Sequence, residues 1–122
     1  MGKNKKILII DDNEQDQKAM TVALRKAGYG DIASAQNQQE GIQKTASLCP
    51  AIIFIDVVLG SVDGFDVCRQ IKSLNGCQAK IIMVTGHLDA VEASKAKASG
   101  ADEIIEKTFG FANLSKTIES IL

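Results

Sequence analysis

The sequence predicts an α/β fold, a doubly wound (βα)5 sandwich around a five-stranded parallel sheet of order 2-1-3-4-5. Short aliphatic runs of strand length recur along the 122 residues, helical patterns separate them, and no linker, repeat or low-complexity stretch breaks the alternation. Continuous apolar runs fit strands that are buried on both faces, as parallel sheets require. Alternating strands and helices favour a single α/β domain over residues 1–122.

The predicted strands are four aliphatic runs and one weaker segment. The runs are ILII at 7–10, IIFI at 52–55, IIMV at 81–84 and EII at 103–105, and the weaker segment is DIASA at 31–35. Right-handed crossovers then fix the hand of each strand–helix–strand unit.

The first two helices are predicted from apolar spacing and from end signals. Apolar side chains follow the i, i+3, i+4, i+7 spacing from Met20, and Gly28 is the expected C-terminal stop. The second helix opens at NQQE, which has the pattern of a capping box. In that motif Asn37 accepts a hydrogen bond from a backbone amide and Glu40 reaches back towards the helix start.

The remaining helices follow turn residues or precede a glycine. The third is expected after the Asp63-Gly64 turn, and the fourth covers DAVEASKAKAS, with Gly100 just past its end. The last runs from about Phe111 and carries an apolar side as far as Ile121.

Composition and charge exclude several classes of function. The formal net charge of −1 gives no basic face for a nucleic acid, and no apolar run approaches the roughly 20 residues that a membrane span needs. The N-terminus lacks a secretory signal. Cys49, Cys68 and Cys77 are odd in number and lack CxxC spacing, so we expect free thiols and a cytoplasmic location.

A set of polar side chains falls at the C-terminal ends of the predicted strands. Asp11 and Asp12 end the first strand, Asp56 the third, Thr85 the fourth and Lys107 the fifth. Ligands of open α/β sheets bind beyond these ends at the topological switch point, which here lies between strands one and three. The three carboxylates are therefore expected to converge, and their mutual repulsion is expected to raise at least one pKa.

A hard divalent cation would relieve the repulsion among these carboxylates. Oxygen ligands with room for water suit Mg²⁺, and beside such a metal one carboxylate can attack phosphorus, as in aspartyl-phosphate enzymes. We therefore expect Asp56 to accept a phosphoryl group beside a metal held by Asp11 and Asp12. Thr85 and Lys107 would offer a hydroxyl donor and a cation to the developing charge. For Asp12, capping of the first helix is an alternative role.

These features resemble the receiver domains of two-component response regulators, such as the chemotaxis regulator. The resemblance covers nearly the whole chain, and the segments that carry it are ILIIDDN, IDVVLGSVDGFDV, IIMVTG and GADEIIEKTF. It implies a flavodoxin-like fold with Asp56 as the phosphoacceptor. The implied Mg²⁺ ligands are Asp11, Asp12, Asp56 and the backbone carbonyl of Val58, and the implied phosphoryl contacts are Thr85 and Lys107.

The resemblance also implies partners. The phosphoryl donor would be a histidine kinase or a histidine phosphotransfer protein, and a downstream protein would bind the face formed by helix 4, strand 5 and helix 5. Such a domain binds no nucleic acid and no membrane itself, and it is not a dedicated enzyme, although it can slowly lose its phosphoryl group. No output domain follows Leu122 in this sequence, so we expect a stand-alone receiver or a fragment of a longer regulator.

Several residues depart from the family pattern. Thr108 stands where many receivers have a proline in a cis peptide bond, so we expect a trans Lys107–Thr108 bond. Ile104 replaces the usual aromatic residue of the fifth strand, which predicts a weaker output switch there, and Gly60 stands where a proline often follows the acceptor. A degenerate receiver that binds a partner without being phosphorylated is the alternative that these departures leave open.

Two further positions bear on the lifetime of a phosphorylated state. In the family, the side chains two beyond the acceptor and two beyond the threonine border the approach of the hydrolytic water; here they are Val58 and His87. Val58 cannot hydrogen-bond a water molecule, so we expect slow dephosphorylation. His87 would add a pH dependence near neutrality.

Three enzyme or cofactor-binding classes fit the sequence less well. A haloacid-dehalogenase-like phosphatase needs a second acid two residues after the nucleophile, where this chain has Val58. A P-loop nucleotidase needs the motif G-x-x-x-x-G-K-[ST], which is absent. A flavin site needs aromatic residues and a phosphate loop, and only 4% of the residues are aromatic.

Overall fold

Five parallel strands form the main sheet. A computed structural model of the protein describes residues 2–74, 76 and 78–122. Within these residues the strands are β1 (Ile7–Ile10), β2 (Ile32–Ala35), β3 (Ile52–Asp56), β4 (Lys80–Thr85) and β5 (Glu103–Glu106). They are ordered β2-β1-β3-β4-β5, and every neighbouring pair is parallel. The predicted fold class and strand order are confirmed.

Five α-helices connect the strands, each in a predicted position. They are α1 (Glu14–Lys26), α2 (Gln38–Leu48), α3 (Gly64–Lys72), α4 (Ala90–Ala98) and α5 (Leu114–Ile121). The last helix begins three residues later than predicted. Gly110 and Phe111 have positive φ angles of 67° and 51°, which a right-handed α-helix cannot include. Phe111 therefore ends a short 3₁₀ turn instead, although its side chain is still buried as predicted.

Local side-chain hydrogen bonds set the starts of the first two helices. Asn13 Oδ1 accepts the N–H of Asp16 at 2.9 Å, and Asn37 Oδ1 accepts the N–H of Glu40 at 2.8 Å. Such a cap stabilises a helix by about 1 kcal/mol. Glu40 does reach back, but to the N–H of Gln36 at 2.7 Å, one residue before the cap. The predicted capping box is thus present with its return bond shifted by one residue.

Alternate residues of the strands contribute to two cores on opposite faces of the sheet. In β1, Ile7 and Ile9 pack with residues of α1 and α5, whereas Leu8 and Ile10 pack with residues of α3. All four side chains are fully buried, and burial of each contributes about 1.5–3 kcal/mol. Both faces of β1 and β3 are covered in this way, and these two strands lead into Asp11, Asp12 and Asp56.

The segment after β3 forms a short antiparallel hairpin that the sequence did not predict. Val58–Leu59 pairs with Val62–Asp63, and Gly60, with a φ of 60°, lies in the turn between them. Directly after the hairpin, α3 begins very close to β3. A Cβ atom on Gly64 would lie 2.0 Å from the carbonyl oxygen of Asp56. Only glycine allows this approach, which brings the hairpin back beside the end of β3.

Smaller predictions have mixed outcomes. The Lys107–Thr108 peptide bond is trans, as predicted. Cys68 is a buried free thiol and Cys49 is exposed, while Cys77 lies outside the described residues. Among the helices of the described ranges, none has both the length and the apolar character needed to cross a membrane.

Candidate functional site

The C-terminal edge of the sheet gathers the polar side chains that the sequence predicted there. Asp11 and Asp12 directly follow β1, Asp56 ends β3, Thr85 ends β4 and Lys107 directly follows β5. Because all five strands are parallel, these ends meet at one edge. Carboxylate oxygens of the three aspartates lie within 4.8 Å of one another. The expected convergence of the acids is therefore present.

Backbone N–H groups orient the two buried carboxylates. The N–H of Asn13 donates to Asp11 Oδ1 at 2.8 Å, and the N–H of Val58 donates to Asp56 Oδ1 at 2.9 Å. In both cases the donor lies two residues after the aspartate, which is the geometry of an Asx turn. Asp11 is 1% exposed and Asp56 is 8% exposed. The second oxygen of each carboxylate stays available for other partners at the sheet edge.

Asp12 is exposed and connects two loops. Its Oδ2 accepts the N–H of Gly60 at 2.9 Å, which links the end of β1 to the hairpin after β3. The alternative role of Asp12 as the cap of α1 is wrong, because Asn13 caps that helix. Because the side chain of Asn13 bonds the first turn of α1, the Asp12 carboxylate can turn towards the acid cluster.

Lys107 is held among three carboxylates. Its Nζ lies 2.7 Å from Asp56 Oδ2, 2.6 Å from Asp16 Oδ2 and 3.5 Å from Asp11 Oδ2. Burial alone would lower the pKa of Lys107, but the hydrogen bonds to Asp16 and Asp56 raise it above its usual value. The ammonium group is therefore fully charged at neutral pH and neutralises part of the cluster.

Asp16 is a site residue that the sequence did not predict. It lies in the first turn of α1, and that helix begins directly after β1, so its first turn faces the same edge of the sheet. Acidic residues favour this position because of the helix dipole. The signal was ambiguous, however, since Glu14 occupies the same turn and instead pairs with exposed Lys18 at 3.5 Å.

Gln17 is a second residue of the site region that the sequence did not predict. It stabilises the backbone at the end of β1. Its buried side-chain amide donates to the carbonyl oxygens of Asp11 at 2.6 Å and Ala35 at 2.8 Å. These bonds join α1 to the ends of β1 and β2. A signal was present, because Gln17 lies three residues before Met20 on the apolar side of the helix.

Asp11 gives the clearest indication that the cluster fits a metal ion. Its Oδ2 is buried and has no hydrogen-bond partner among the described residues. Burial and the charge of Asp56 raise the pKa of Asp11 to about 6, although the Asn13 N–H and the charge of Lys107 act to lower it. The predicted pKa increase is therefore present at Asp11. A buried oxygen without a hydrogen bond is costly, and the Lys107 ammonium, 3.5 Å away, offers it an ion pair only. An oxygen-lined acidic site suits a hard divalent cation.

The Thr85 hydroxyl lies at the expected edge but bonds to α4. Its Oγ1 is 2.8 Å from Glu92 Oε1, 3.2 Å from the carbonyl oxygen of His87 and 3.3 Å from the backbone nitrogen of His87. Of the two acceptors, the Glu92 carboxylate is the nearer and is charged, so it is the preferred acceptor of the hydroxyl proton, while the N–H of His87 donates to the threonine oxygen. The side chain of Thr85 is 4% exposed.

Val58 and His87 both face solvent, in the segments that follow β3 and β4. Val58 is 62% exposed, and the His87 side chain is 84% exposed. The N–H of Val58 is already bonded to Asp56, whereas the role of its carbonyl as a metal ligand stays a prediction, as do the kinetic roles of both side chains.

Curated relatives are regulators of transcription that are longer than this chain. The alkaline phosphatase synthesis transcriptional regulatory protein PhoP of Bacillus subtilis is 29% identical over 119 residues, covering 98% of this chain and 49% of the relative. The DNA-binding response regulator MtrA of Mycobacterium tuberculosis is 31% identical over 104 residues, covering 85% of this chain and 44% of the relative. The chain thus spans about half the length of the curated relatives it matches.

Solved structures match the chain over almost its full length, and a family model agrees with them. The chemotaxis protein CheY4 of Vibrio cholerae has a TM-score of 0.90 at 24% identity, with 98% of this chain and 99% of that chain covered. The signal receiver domain of a DNA-binding response regulator from Colwellia psychrerythraea has a TM-score of 0.85 at 28% identity, with 96% and 97% covered. The family model of the response regulator receiver domain matches residues 7–119. The chain therefore belongs to the receiver domain family of two-component response regulators.

Proposed function

We propose that residues 1–122 form one phosphoacceptor receiver domain, in which Asp56 takes a phosphoryl group from a histidine kinase or a histidine phosphotransfer protein. The observation that carries this proposal is the position of Asp56 between a fixed cation and an acid cluster. Lys107 Nζ lies 2.7 Å from Asp56 Oδ2, and the neighbouring Asp11 Oδ2 accepts no hydrogen bond among the described residues. A carboxylate in this setting is placed to gain and hold a charged group.

The acid cluster would hold Mg²⁺. Asp11, Asp12 and Asp56 would contribute carboxylate oxygens, and the carbonyl of Val58 would be a further ligand. Bound there, Mg²⁺ would neutralise the carboxylates and the charge on the phosphoryl oxygens. The orphaned Asp11 Oδ2 supports this assignment, since a cation would satisfy an oxygen that has no hydrogen-bond donor among the described residues.

In the proposed reaction, a carboxylate oxygen of Asp56 forms a bond to phosphorus while the bond from phosphorus to the donor histidine nitrogen breaks. The electron pair of that bond returns to the imidazole ring. The N–H of Val58 keeps the Asp56 carboxylate oriented, and Lys107 donates to the transferred phosphoryl oxygens. Thr85 would donate a further hydrogen bond once its hydroxyl turns from Glu92.

The proposed output is a change in partner binding rather than turnover of a substrate. A downstream protein would bind the face of α4, β5 and α5. Ile104, on β5, is only partly buried there and packs against the core with its aliphatic side chain. The similarity to response regulators supports this signalling role and a cytoplasmic location, where thiols such as Cys68 stay reduced.

Phosphorylation by a small donor tests the proposal. The protein would be incubated with acetyl phosphate and Mg²⁺, and the product mapped by mass spectrometry. We expect one phosphoryl group on Asp56, none in EDTA and none in Asp56→Asn, because an amide is no nucleophile here. Asp31→Asn is the matched control, since that aspartate lies at the opposite edge of the sheet, where its carbonyl accepts the N–H of Ile7.

Two results would contradict the proposal. Label that appears without the metal, or that persists at another residue in Asp56→Asn, would remove Asp56 from its role. No label on the folded wild-type protein would instead support a degenerate receiver that acts without phosphorylation.

A further inference from the structure

The single proton of the Thr85 hydroxyl is already committed to a residue of α4. Thr85 Oγ1 donates to Glu92 Oε1 at 2.8 Å, in a partly buried contact, and the carbonyl oxygen of His87, at 3.2 Å, is a more distant acceptor. A hydroxyl has one proton to donate. Thr85 can therefore donate to a phosphoryl group on Asp56 only after its bond to Glu92 is broken.

Glu92 occupies a position in the first turn of α4 from which its carboxylate could also accept a hydrogen bond from the start of the helix. The N–H of Glu92 donates to Asp89 Oδ1 at 2.8 Å, and Asp89 caps the start of α4. In a complete capping box the glutamate at this position also reaches back to the N–H of the cap residue. Here its Oε1 accepts from Thr85 instead. The position of Glu92 thus offers its carboxylate two donors, the Thr85 hydroxyl at the end of β4 and, by the geometry of a capping box, the N–H of Asp89 at the start of α4.

We propose that Glu92 is a positioning residue that holds Thr85 in the resting state, and that phosphorylation of Asp56 releases it. The proposal rests on the proposed function, because the phosphoryl oxygens are the competing acceptors. When the Thr85 hydroxyl turns to them, the freed Glu92 carboxylate bonds the N–H of Asp89 and completes the cap of α4. A carboxylate thus couples the site to α4, in a chain whose β5 carries Ile104 rather than a large aromatic side chain.

A second glutamate, which bonds the loop between β4 and α4, supplies a matched control. Glu106, on β5, accepts the N–H of Leu88 at 2.7 Å through its Oε1. It therefore anchors the loop between β4 and α4 without touching the Thr85 hydroxyl. Loss of Glu106 loosens the loop, as loss of Glu92 would if its role were purely structural. Only loss of Glu92 also removes the nearer acceptor of the Thr85 proton.

The resting-state contact is tested first, in the metal-free and phosphate-free protein. A double-mutant cycle of Thr85→Ala and Glu92→Ala, read by urea unfolding, should show coupling between the two positions. Thr85→Ala combined with Glu106→Ala should show none. Additive effects of Thr85→Ala and Glu92→Ala would overturn the proposal, whatever the outcome for phosphorylation.

The release step is tested with beryllium fluoride and Mg²⁺ as a phosphoryl mimic, followed by amide NMR shifts near Asp56. We expect Glu92→Ala to bind the mimic about three- to tenfold more tightly than wild type, since a hydrogen bond to a partly exposed carboxylate no longer has to break. Glu92→Gln, which keeps an acceptor oxygen but loses the charge, should fall between the two. Glu106→Ala should stay within about twofold of wild type, and in a Thr85→Ala background Glu92→Ala should have no effect.

Hydrogen exchange at Asp89 gives a signature that a structural role would not produce. The mimic should slow exchange of the Asp89 amide in wild type, where Glu92 returns to cap it, and should leave it unchanged in Glu92→Ala. Equal affinities of wild type and Glu92→Ala would overturn the inference and leave the proposed function intact. Failure of wild type to bind the mimic at all would overturn the proposed function, and the release step with it.

Discussion

Replacing Asp11 by asparagine should stabilise the protein when no divalent cation is present. Burial and the charge of Asp56 raise the pKa of Asp11 to about 6, from an ordinary value of 3.8. The folded protein therefore keeps this proton to higher pH than the unfolded chain does. The stability of the protein then falls as the pH rises from about 4 to about 6, and the full penalty remains above that range. Two pKa units correspond to about 3 kcal/mol.

The neutral amide of Asp11→Asn removes this penalty. Its side-chain oxygen can still accept the N–H of Asn13, which now bonds to Asp11 Oδ1, and its amide nitrogen can donate towards Asp56. We expect the free energy of unfolding in EDTA to rise by about 1–3 kcal/mol at pH 7.5 and to change little at pH 4. Urea unfolding followed by circular dichroism at several pH values measures both.

Added Mg²⁺ should reverse the order of the two proteins. A ligand at about 100 times its Kd stabilises the folded state by about 2.7 kcal/mol, and only wild type keeps the buried carboxylate that would bind it. Asp12→Asn is the control, because Asp12 is exposed. It should lose the Mg²⁺ effect but gain little stability in EDTA. The reasoning is refuted if Asp11→Asn is less stable than wild type in EDTA at pH 7.5, or if the difference does not change with pH.

Three other substitutions test separate parts of the structure. Gly64→Ala should destabilise the protein by about 1–3 kcal/mol or more in thermal unfolding, because its Cβ would meet the Asp56 carbonyl oxygen at 2.0 Å. Gly86→Ala is the control and should change the stability little, because no atom lies within 4 Å of the added Cβ. Val58→Asn should speed loss of the phosphoryl group, measured by mass spectrometry over time, since an amide can orient water at this exposed position; an unchanged rate would remove Val58 from that role. Lys107→Ala should cost about 3–5 kcal/mol in metal-free urea unfolding, because it leaves buried carboxylates without their cation. This variant should keep Mg²⁺ binding yet show a reduced NMR response to beryllium fluoride, and a full response would contradict the prediction.

The fold could be predicted from the sequence because its signals are local. Four of the five strands are short aliphatic runs, and the caps Asn37 and Asp63 lie beside the helices they begin. The order of the strands then places the acids together. The late start of α5 could not be predicted in the same way, because the left-handed backbone at Phe111 depends on tertiary packing that buries its ring.

The site was predicted only in part, for a related reason. Residues at strand ends are visible in the sequence, since the strand itself fixes where they point. Asp16 and Glu92 lie in the first turns of helices, where the sequence does not fix the direction in which a side chain points. Their bonds to Lys107 and Thr85 connect parts of the chain that the sequence does not place in contact. The hairpin after β3 was missed because two-residue strands carry no periodic signal.

A limited supply of hydrogen-bond donors links the proposed chemistry to the surrounding helices. Lys107 divides its donors between Asp16 of α1 and Asp56 of β3, and Thr85 gives its one proton to Glu92 of α4. A phosphoryl group on Asp56 brings three strong acceptor oxygens. Lys107 can move its bond from Asp56 to a phosphoryl oxygen and keep its bond to Asp16 of α1, whereas Thr85 can donate to the phosphoryl group only by giving up its bond to α4. The response should be larger at α4, because Lys107 has three protons to share and Thr85 has one.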